Sequence, residues 1–514
     1  MDPPTLTNDQ FEALLAQIAD YQLAHGSLLS LPLLRERLDS PVPIARPVGV
    51  SVFPTPFPSA LFHDALSLQQ PMNRLYVQVA GDPEWLGEVL AELRQHDEFV
   101  AKLWSIWERV RDEGEVQSLE CGVWRSDYML HACTAGLAKE DRSAVGSGTN
   151  PSKERTPREG EPREGEKDAF LNSQLKQVEF NTYSCAGGGH GNIAADMHSR
   201  NPPNNTIRDV VQAIEAAHKA YGPPIQGALT AVLMTVQPRN SNTCDERPIE
   251  YGLSGCDPPV PLFRVEFNGE VLRHCHLGPG RELLYRAPWA SEAVEISVVY
   301  QRAGYDACEY DEQGVNARLL LERSRAVKCP SILGHLAGLK KVQQALTRPG
   351  ALERFVEPDM AEQIREVSMP LRAMDATEDG LAGRRLAIRE ETAKGYVLKP
   401  SLEGGGHNVY GTDITSFLRG IPQEKWANYI LMGKINPPVI NNVLVSYQEV
   451  YYGQVVSELG VFGACLWRRR RVNQEPVILN NTLAGWSFKT KPAGVNEMSV
   501  VKGYGCFDCP RLIP

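Results

Sequence analysis

The sequence predicts an α/β fold with more than one structural unit, and four observations predict it. Strand-like and helical stretches alternate from residue 228 to about 339, as a sheet covered by helices requires. Of the 514 residues, 42% are hydrophobic and 23% charged, ordinary globular usage, so most of the length folds. A chain this long calls for roughly two to four units rather than one core. Finally, the apolar run Val397-Leu-Lys399 leads directly into the turn Glu403-Gly404-Gly405-Gly406, the pattern of a strand that ends in a loop built around a ligand.

In chain order, Phe11, Leu14, Leu15, Ile18 and Leu23 recur at helical spacing behind Asn8 and Asp9, so an amphipathic helix opens the chain and ends near Gly26. The proline-rich residues 41–58 read as a connector, and residues 84–110 are again helical. Residues 118–125 read as an extended segment entering Asp127-Tyr-Met-Leu. Residues 137–168 carry the tandem Pro157-Arg-Glu-Gly-Glu and Pro162-Arg-Glu-Gly-Glu with almost no bulky apolar side chains, the composition of a disordered surface insertion. Gln177-Val-Glu179-Phe-Asn181 alternates as a strand, which sets Glu179 and Asn181 on one face, where both could bind one hard cation. Strands are predicted over residues 228–236, 293–300, 429–432 and 455–462, a helix over 316–328, and a C-terminal segment rich in lysine and glycine. The units are 1–227, a separate α/β unit at 228–339, and 340–514.

A formal net charge of −10 argues against a nucleic-acid binder, which needs a basic surface. The lone basic run, residues 468–471, reads as the solvated face or edge of a strand. The N-terminus lacks a basic region followed by an apolar stretch, and no run is long enough to span a bilayer, so the expectation is a soluble, cytoplasmic protein without membrane partners. Eleven cysteines, an odd number without zinc-like spacing, read as reduced thiols, the lone pair Cys506 and Cys509 included.

The glycine turn suits a nucleoside triphosphate. Three residues without Cβ let main-chain N–H groups converge on phosphate oxygens, Lys399 adds a cation, and Glu403 can hold Mg²⁺. A triple glycine also serves a plain turn, and no G-x-x-x-x-G-K-[ST] pattern is present, so the phosphates would be covered by a flap rather than cradled at a helix start.

Arg125-Ser-Asp-Tyr, Glu179-Phe-Asn181-Thr, Arg302-Ala-Gly-Tyr305, Leu319-Leu-Leu-Glu-Arg-Ser324, Lys328-Cys-Pro, Ala337-Gly-Leu-Lys340-Lys-Val-Gln-Gln344, Leu398-Lys-Pro with Glu403-Gly-Gly-Gly, and Ser457-Glu-Leu-Gly460 occur in that order. Together they resemble eukaryotic-type glutathione synthetase. The resemblance implies an ATP-grasp fold with a smaller inserted α/β substrate-binding domain, a homodimer, and synthesis of glutathione from γ-glutamylcysteine, glycine and ATP with Mg²⁺. It implies metal ligands at Glu179, Asn181 and Glu403, and catalytic roles for Arg125, Lys340 and Lys399. For ATP it implies those two lysines with Glu179, Glu403, Gly404, Gly405, Gly406, His407, Asn408, Tyr410, Met432, Gly433, Lys434, Ile435, Glu458, Lys491 and Glu497. For the peptide and amine it implies Arg125, Tyr183, Ser184, Cys185, Ala186, Asn240, Asn242, Glu246, Arg302, Tyr305, Lys489, Val500 and Val501.

Several of these depart from the family's pattern. Asn240 stands where Glu is usual, Glu246 where Gln is, Ala186 where Ser is common, and Gly433 where Glu is usual. Lys489 stands for Arg, and Val500 and Val501 replace small residues of the lid. Valines reshape a pocket, and lysine keeps the charge of arginine without its two-pronged contact. Two alternatives therefore stay open beside glutathione synthesis: the same ligation with another small amine, or a nucleotide-binding paralogue without activity.

Overall fold

The structure, a computed structural model, describes residues 3–132, 170, 172–198, 202–225, 229–401, 407–447, 449–469 and 475–514. The insertion expected at 137–168 and the glycine turn Glu403–Gly406 lie outside the described residues.

Thirteen strands among the described residues form one large sheet. Its antiparallel part is built on two long strands, Val450–Arg468 and Val477–Pro492, with Leu119–His131 on the far side of the first. Gln174–Asn181 pairs antiparallel with Leu119–His131. On its other side Val477–Pro492 pairs with Cys506–Asp508, followed in the sheet by Val50–Ser51 and Ile440–Val445. The alternating region supplies a parallel part, in which Leu262–Glu266, Thr230–Val236, Val294–Gln301 and Val327–Cys329 run side by side. A single register pair, Lys328 with Glu120, connects it to Leu119–His131.

A second, four-stranded antiparallel sheet orders Leu371–Ala373, Tyr429–Gly433, Tyr396–Pro400 and Val409–Tyr410. Strand alternation sorts its side chains. Leu398 and Leu431 enter a core with Ile414 and Leu418 from the helix Asp413–Arg419, whereas Val397, Lys399 and Met432 face the opposite side, toward the large sheet.

The opening helix spans Asn8–His25, with Thr7 and Gln10 forming a capping box and Gly26 ending it at φ +71°. The proline-rich connector is more ordered than expected. It contributes Val50–Ser51 to the large sheet, while Thr55–Pro58 pairs with Pro510–Ile513, a two-stranded edge that tolerates prolines because only one side of each strand needs its N–H groups. The helix expected over 316–328 instead runs Glu312–Arg323, and Lys328 lies in the strand Val327–Cys329. The lysine- and glycine-rich C-terminus is largely the Val477–Pro492 strand. Residues 84–110 are helical but broken into Pro83–Val89, Leu93–His96 and Glu98–Glu113.

Candidate active site

Register carries the site. On one face of the large sheet, Phe462, Arg125 and Asn181 are cross-strand neighbours, and in the adjacent row Ser487, Gly460, Asp127 and Glu179 follow one another across four strands. A third row brings Phe507, Lys489, Glu458 and Met129 together. These rows floor a cavity of about 690 Å³ that the small sheet roofs with Val397, Lys399 and Met432. The volume is that of a site for sizeable ligands.

The floor is organised by charge. Arg125 grips Asp127 with two bonds, Nε to Oδ1 at 2.6 Å and NH2 to Oδ2 at 2.7 Å, and its NH1 donates to the Ala186 carbonyl at 2.7 Å. Gly460 makes this possible, because a Cβ there would lie 2.8 Å from Asp127 Oδ1 and 2.9 Å from Arg125 Cδ. Asn181 Nδ2 donates to Asp127 Oδ2 at 3.0 Å. Lys340, the first residue of the helix Lys340–Leu346, puts Nζ 3.4 Å from Glu179 Oε2. Its neighbour Lys341 turns away to Asp375 at 2.5 Å.

A register shift between Asp127 and Tyr128 skips Val178, and the Val178 carbonyl accepts from Lys399 Nζ at 2.9 Å. The bulge thus ties the two sheets together across the cavity. Burial opposes the charge of Glu179, yet Lys340, Lys399 and Arg125 outweigh it and hold the carboxyl down at about 2. Burial also lowers Lys399, with Glu179 opposing and Lys340 adding to the shift.

Nucleotide-type residues gather at one end. His407, Asn408, Tyr410, Gly433, Lys434, Ile435, Glu458, Lys491 and Glu497 all line the cavity. Tyr410 Oη lies 3.2 Å from Glu497 Oε1, and Lys491 Nζ donates to the Asn496 carbonyl at 2.7 Å. Glu458 is held by Lys489 at 2.6 Å.

Peptide-type residues divide. Tyr183, Ser184, Cys185, Ala186, Asn242, Tyr305, Val500 and Val501 line the cavity. Tyr183 Oη nevertheless points into the fold, 2.8 Å from Gln301 Oε1 and from the Ala303 carbonyl. Asn240, Glu246 and Arg302 stand behind the wall: Asn240 donates to Glu246 at 2.6 Å, and Arg302 NH2 donates to Asp245 Oδ2 at 3.1 Å.

Among the lining residues that sequence reasoning missed are Asp127, Asp245 and His190. Asp127 was findable, since it follows Arg125 by two and so shares its face. Asp245 accepts from the N–H groups of Gly187 and Gly189 at 3.0 and 2.8 Å; no local pattern marks it. His190 lies on the helix Gly188–Met197, whose start Gly187-Gly-Gly-His-Gly191 carries no apolar periodicity.

For a hard cation the donor types fit: Glu179, Asn181 and Asp127 offer oxygens side by side, without the thiol or imidazole donors that favour zinc. No cluster of three His, Cys, Asp or Glu residues poised for a metal occurs among the described residues.

A cavity with a charged floor that includes Arg125 and a lysine-bearing roof suits a nucleotide-dependent ligase. Comparison with known proteins specifies which. The family model described as eukaryotic glutathione synthase, ATP binding domain, matches residues 8–512. The glutathione synthetase large chain of Schizosaccharomyces pombe is 30% identical, covering 100% of both chains. The Homo sapiens glutathione synthetase is 32% identical over 98% of this chain and 97% of its own. A glutathione synthetase-like effector from Globodera pallida, solved in its apo form, superposes with a TM-score of 0.71 at 21% identity over 100% of both chains, a likeness of fold. The chain belongs to the eukaryotic glutathione synthase family, and its mixed α/β architecture is consistent with the ATP-grasp fold.

Proposed function

We infer that the protein is a glutathione synthase, joining γ-glutamylcysteine to glycine with cleavage of ATP to ADP and phosphate. The match to the family over residues 8–512 carries this reading, and the convergence of Arg125, Glu179, Lys340 and Lys399 on one cavity supports it. In the reaction the peptide's terminal carboxylate attacks the γ-phosphorus of ATP, ADP leaves, and the glycine amine then displaces phosphate from the acyl phosphate.

The protein contributes mainly position and charge. Lys340 and Lys399, both beside Glu179, offset the charge of the transferring phosphoryl group. Arg125, prevented from swinging by Asp127, presents its guanidinium edge to the peptide carboxylate and then to the tetrahedral intermediate. The small sheet with the residues that follow it excludes water that would hydrolyse the acyl phosphate. Glu179 and Asn181, with Glu403, would hold Mg²⁺, which when bound neutralises phosphate charge. Nucleotide contacts from Tyr410, Met432 and Glu458, peptide contacts from Ser184, Asn242 and Tyr305, and acceptor contacts from Lys489, Val500 and Val501 complete the proposal. The same reading extends to the homodimer and the cytoplasmic location that family membership implies. No helix among the described residues is long and apolar enough to cross a membrane.

The test is phosphate release with γ-glutamylcysteine and glycine supplied singly and together, with the product weighed by mass spectrometry. Tripeptide formed in proportion to phosphate, only when both are present, is the expected result. ATP turnover without tripeptide, or tripeptide only with a different amine, would overturn it.

A further inference from the structure

His190 is a buried polar side chain for which the reaction above has no use. It is 5% exposed, lines the cavity, and neither ring nitrogen has a hydrogen-bond partner among the described residues. Its ring leans on Phe507, with centroids 5.0 Å apart. The surrounding loop makes room: Gly187 has no side chain, and a Cβ there would meet the Phe507 ring at 3.2 Å.

Resting on the function proposed above, we propose that His190 is a specificity residue that accepts a hydrogen bond from the thiol of the bound γ-glutamylcysteine. Chemistry selects the thiol among the groups that the two substrates carry. Glycine offers only an ammonium and a carboxylate, and the termini of the peptide are likewise charged; Arg125, the lysines and the carboxylates that line the cavity suit those. An imidazole enclosed by Phe507 and glycine backbone suits a weakly polar donor. Sulfur gains from the aromatic edge, and S–H donates to the unprotonated ring nitrogen. Burial supports this by lowering the imidazole's proton affinity, with Asp245 opposing, so that the ring is neutral at pH 7 and keeps an acceptor. The carboxylate of Asp245 is itself engaged by Gly187, Gly189 and Arg302.

The test compares γ-glutamylcysteine with γ-glutamyl-2-aminobutyrate, in which a methyl replaces the thiol, in the full-length enzyme and in His190→Leu and His190→Gln. The wild type should favour the thiol peptide in kcat/KM by roughly 10-fold, the scale of one specific contact in a pocket. In His190→Leu the preference should collapse through KM for the thiol peptide, with the methyl peptide and the KM for glycine little changed. His190→Gln, which keeps an acceptor, should restore part of it and guards against a leucine variant that misfolds. Equal preference in wild type and both variants would overturn the proposal. So would a rise confined to the KM for glycine, which would put the imidazole at the acceptor. A wild type that makes no tripeptide from γ-glutamylcysteine would contradict the proposed function itself, and this assignment with it.

Discussion

Lys399 and Gly460 illustrate two ways in which a single residue builds this site. Lys399 is buried, donates to the Val178 carbonyl at 2.9 Å and helps hold the Glu179 carboxyl at about 2. Replacing it with Met leaves that carbonyl without its donor, costing about 1–2 kcal/mol of stability. The loss of charge at the phosphoryl group should cost more, about 3–4 kcal/mol of transition-state stabilisation. Steady-state kinetics on Lys399→Met should therefore show a 10²- to 10³-fold fall in kcat/KM for ATP beside a modest loss in melting temperature. Gly460 acts by absence. In Gly460→Ala the new methyl would press on Asp127 and Arg125 from 2.8 and 2.9 Å, so kcat should fall at least 10-fold while far-UV circular dichroism is unchanged. Normal turnover in this variant would mean that the Arg125–Asp127 clasp does not position the reacting carboxylate. Glu179 and Asn181 were legible in the sequence because strand alternation sets i and i+2 on one face. Gly460 could be read as part of a motif, but its role could not, since that depends on a pairing with Asp127 across more than 300 residues of chain.

At the scale of elements, the edge where the chain's two ends meet has its own signature. Asp508 is fully buried, accepting from Thr55 Oγ1 at 2.5 Å and Thr490 Oγ1 at 2.6 Å. Burial raises its carboxyl to about 6 from an ordinary 3.8, with the bonds from Thr490 and Thr55 opposing. The folded state therefore binds the proton more tightly than the unfolded chain. Stability from this group is fully present below about pH 3.8 and is lost as pH rises through about 6, a span worth roughly 3 kcal/mol at 1.36 kcal/mol per unit. Asp508→Asn removes that titration, so its melting temperature relative to wild type should climb between pH 4 and pH 7. A difference that stays constant across that range would show the carboxyl to be ionised throughout. Sequence periodicity found the opening helix and the strand leading into the glycine turn, where local pattern and burial agree. It failed at Lys328, because an apolar run after a helix, Ala326-Val327-Lys328, carries no boundary signal unless its sheet partner is known. It also under-read residues 41–58, since prolines argue against a strand except at an edge, and edges are set by the whole sheet.

In the whole molecule two sheets enclose one cavity, and both contribute its charged groups. Glu179 and Arg125 come from the large sheet, Lys399 and Met432 from the small one, and Lys340 from a helix near their junction. A ligand that bridges them should stabilise both. Hydrogen exchange with a non-hydrolysable ATP analogue, γ-glutamylcysteine and Mg²⁺ should show added protection in Tyr396–Pro400 and Gln174–Asn181 together; at 100 times Kd the stabilisation is about 2.7 kcal/mol. Protection confined to one sheet would mean that the cavity is not a single site. The central claim, that the peptide carboxylate is phosphorylated and then displaced by an amine, is tested most directly by isotope transfer. With ¹⁸O in the terminal carboxylate of γ-glutamylcysteine, one labelled oxygen should appear in the released phosphate for each tripeptide formed. Phosphate that carries no label, alongside normal consumption of ATP, would contradict the account.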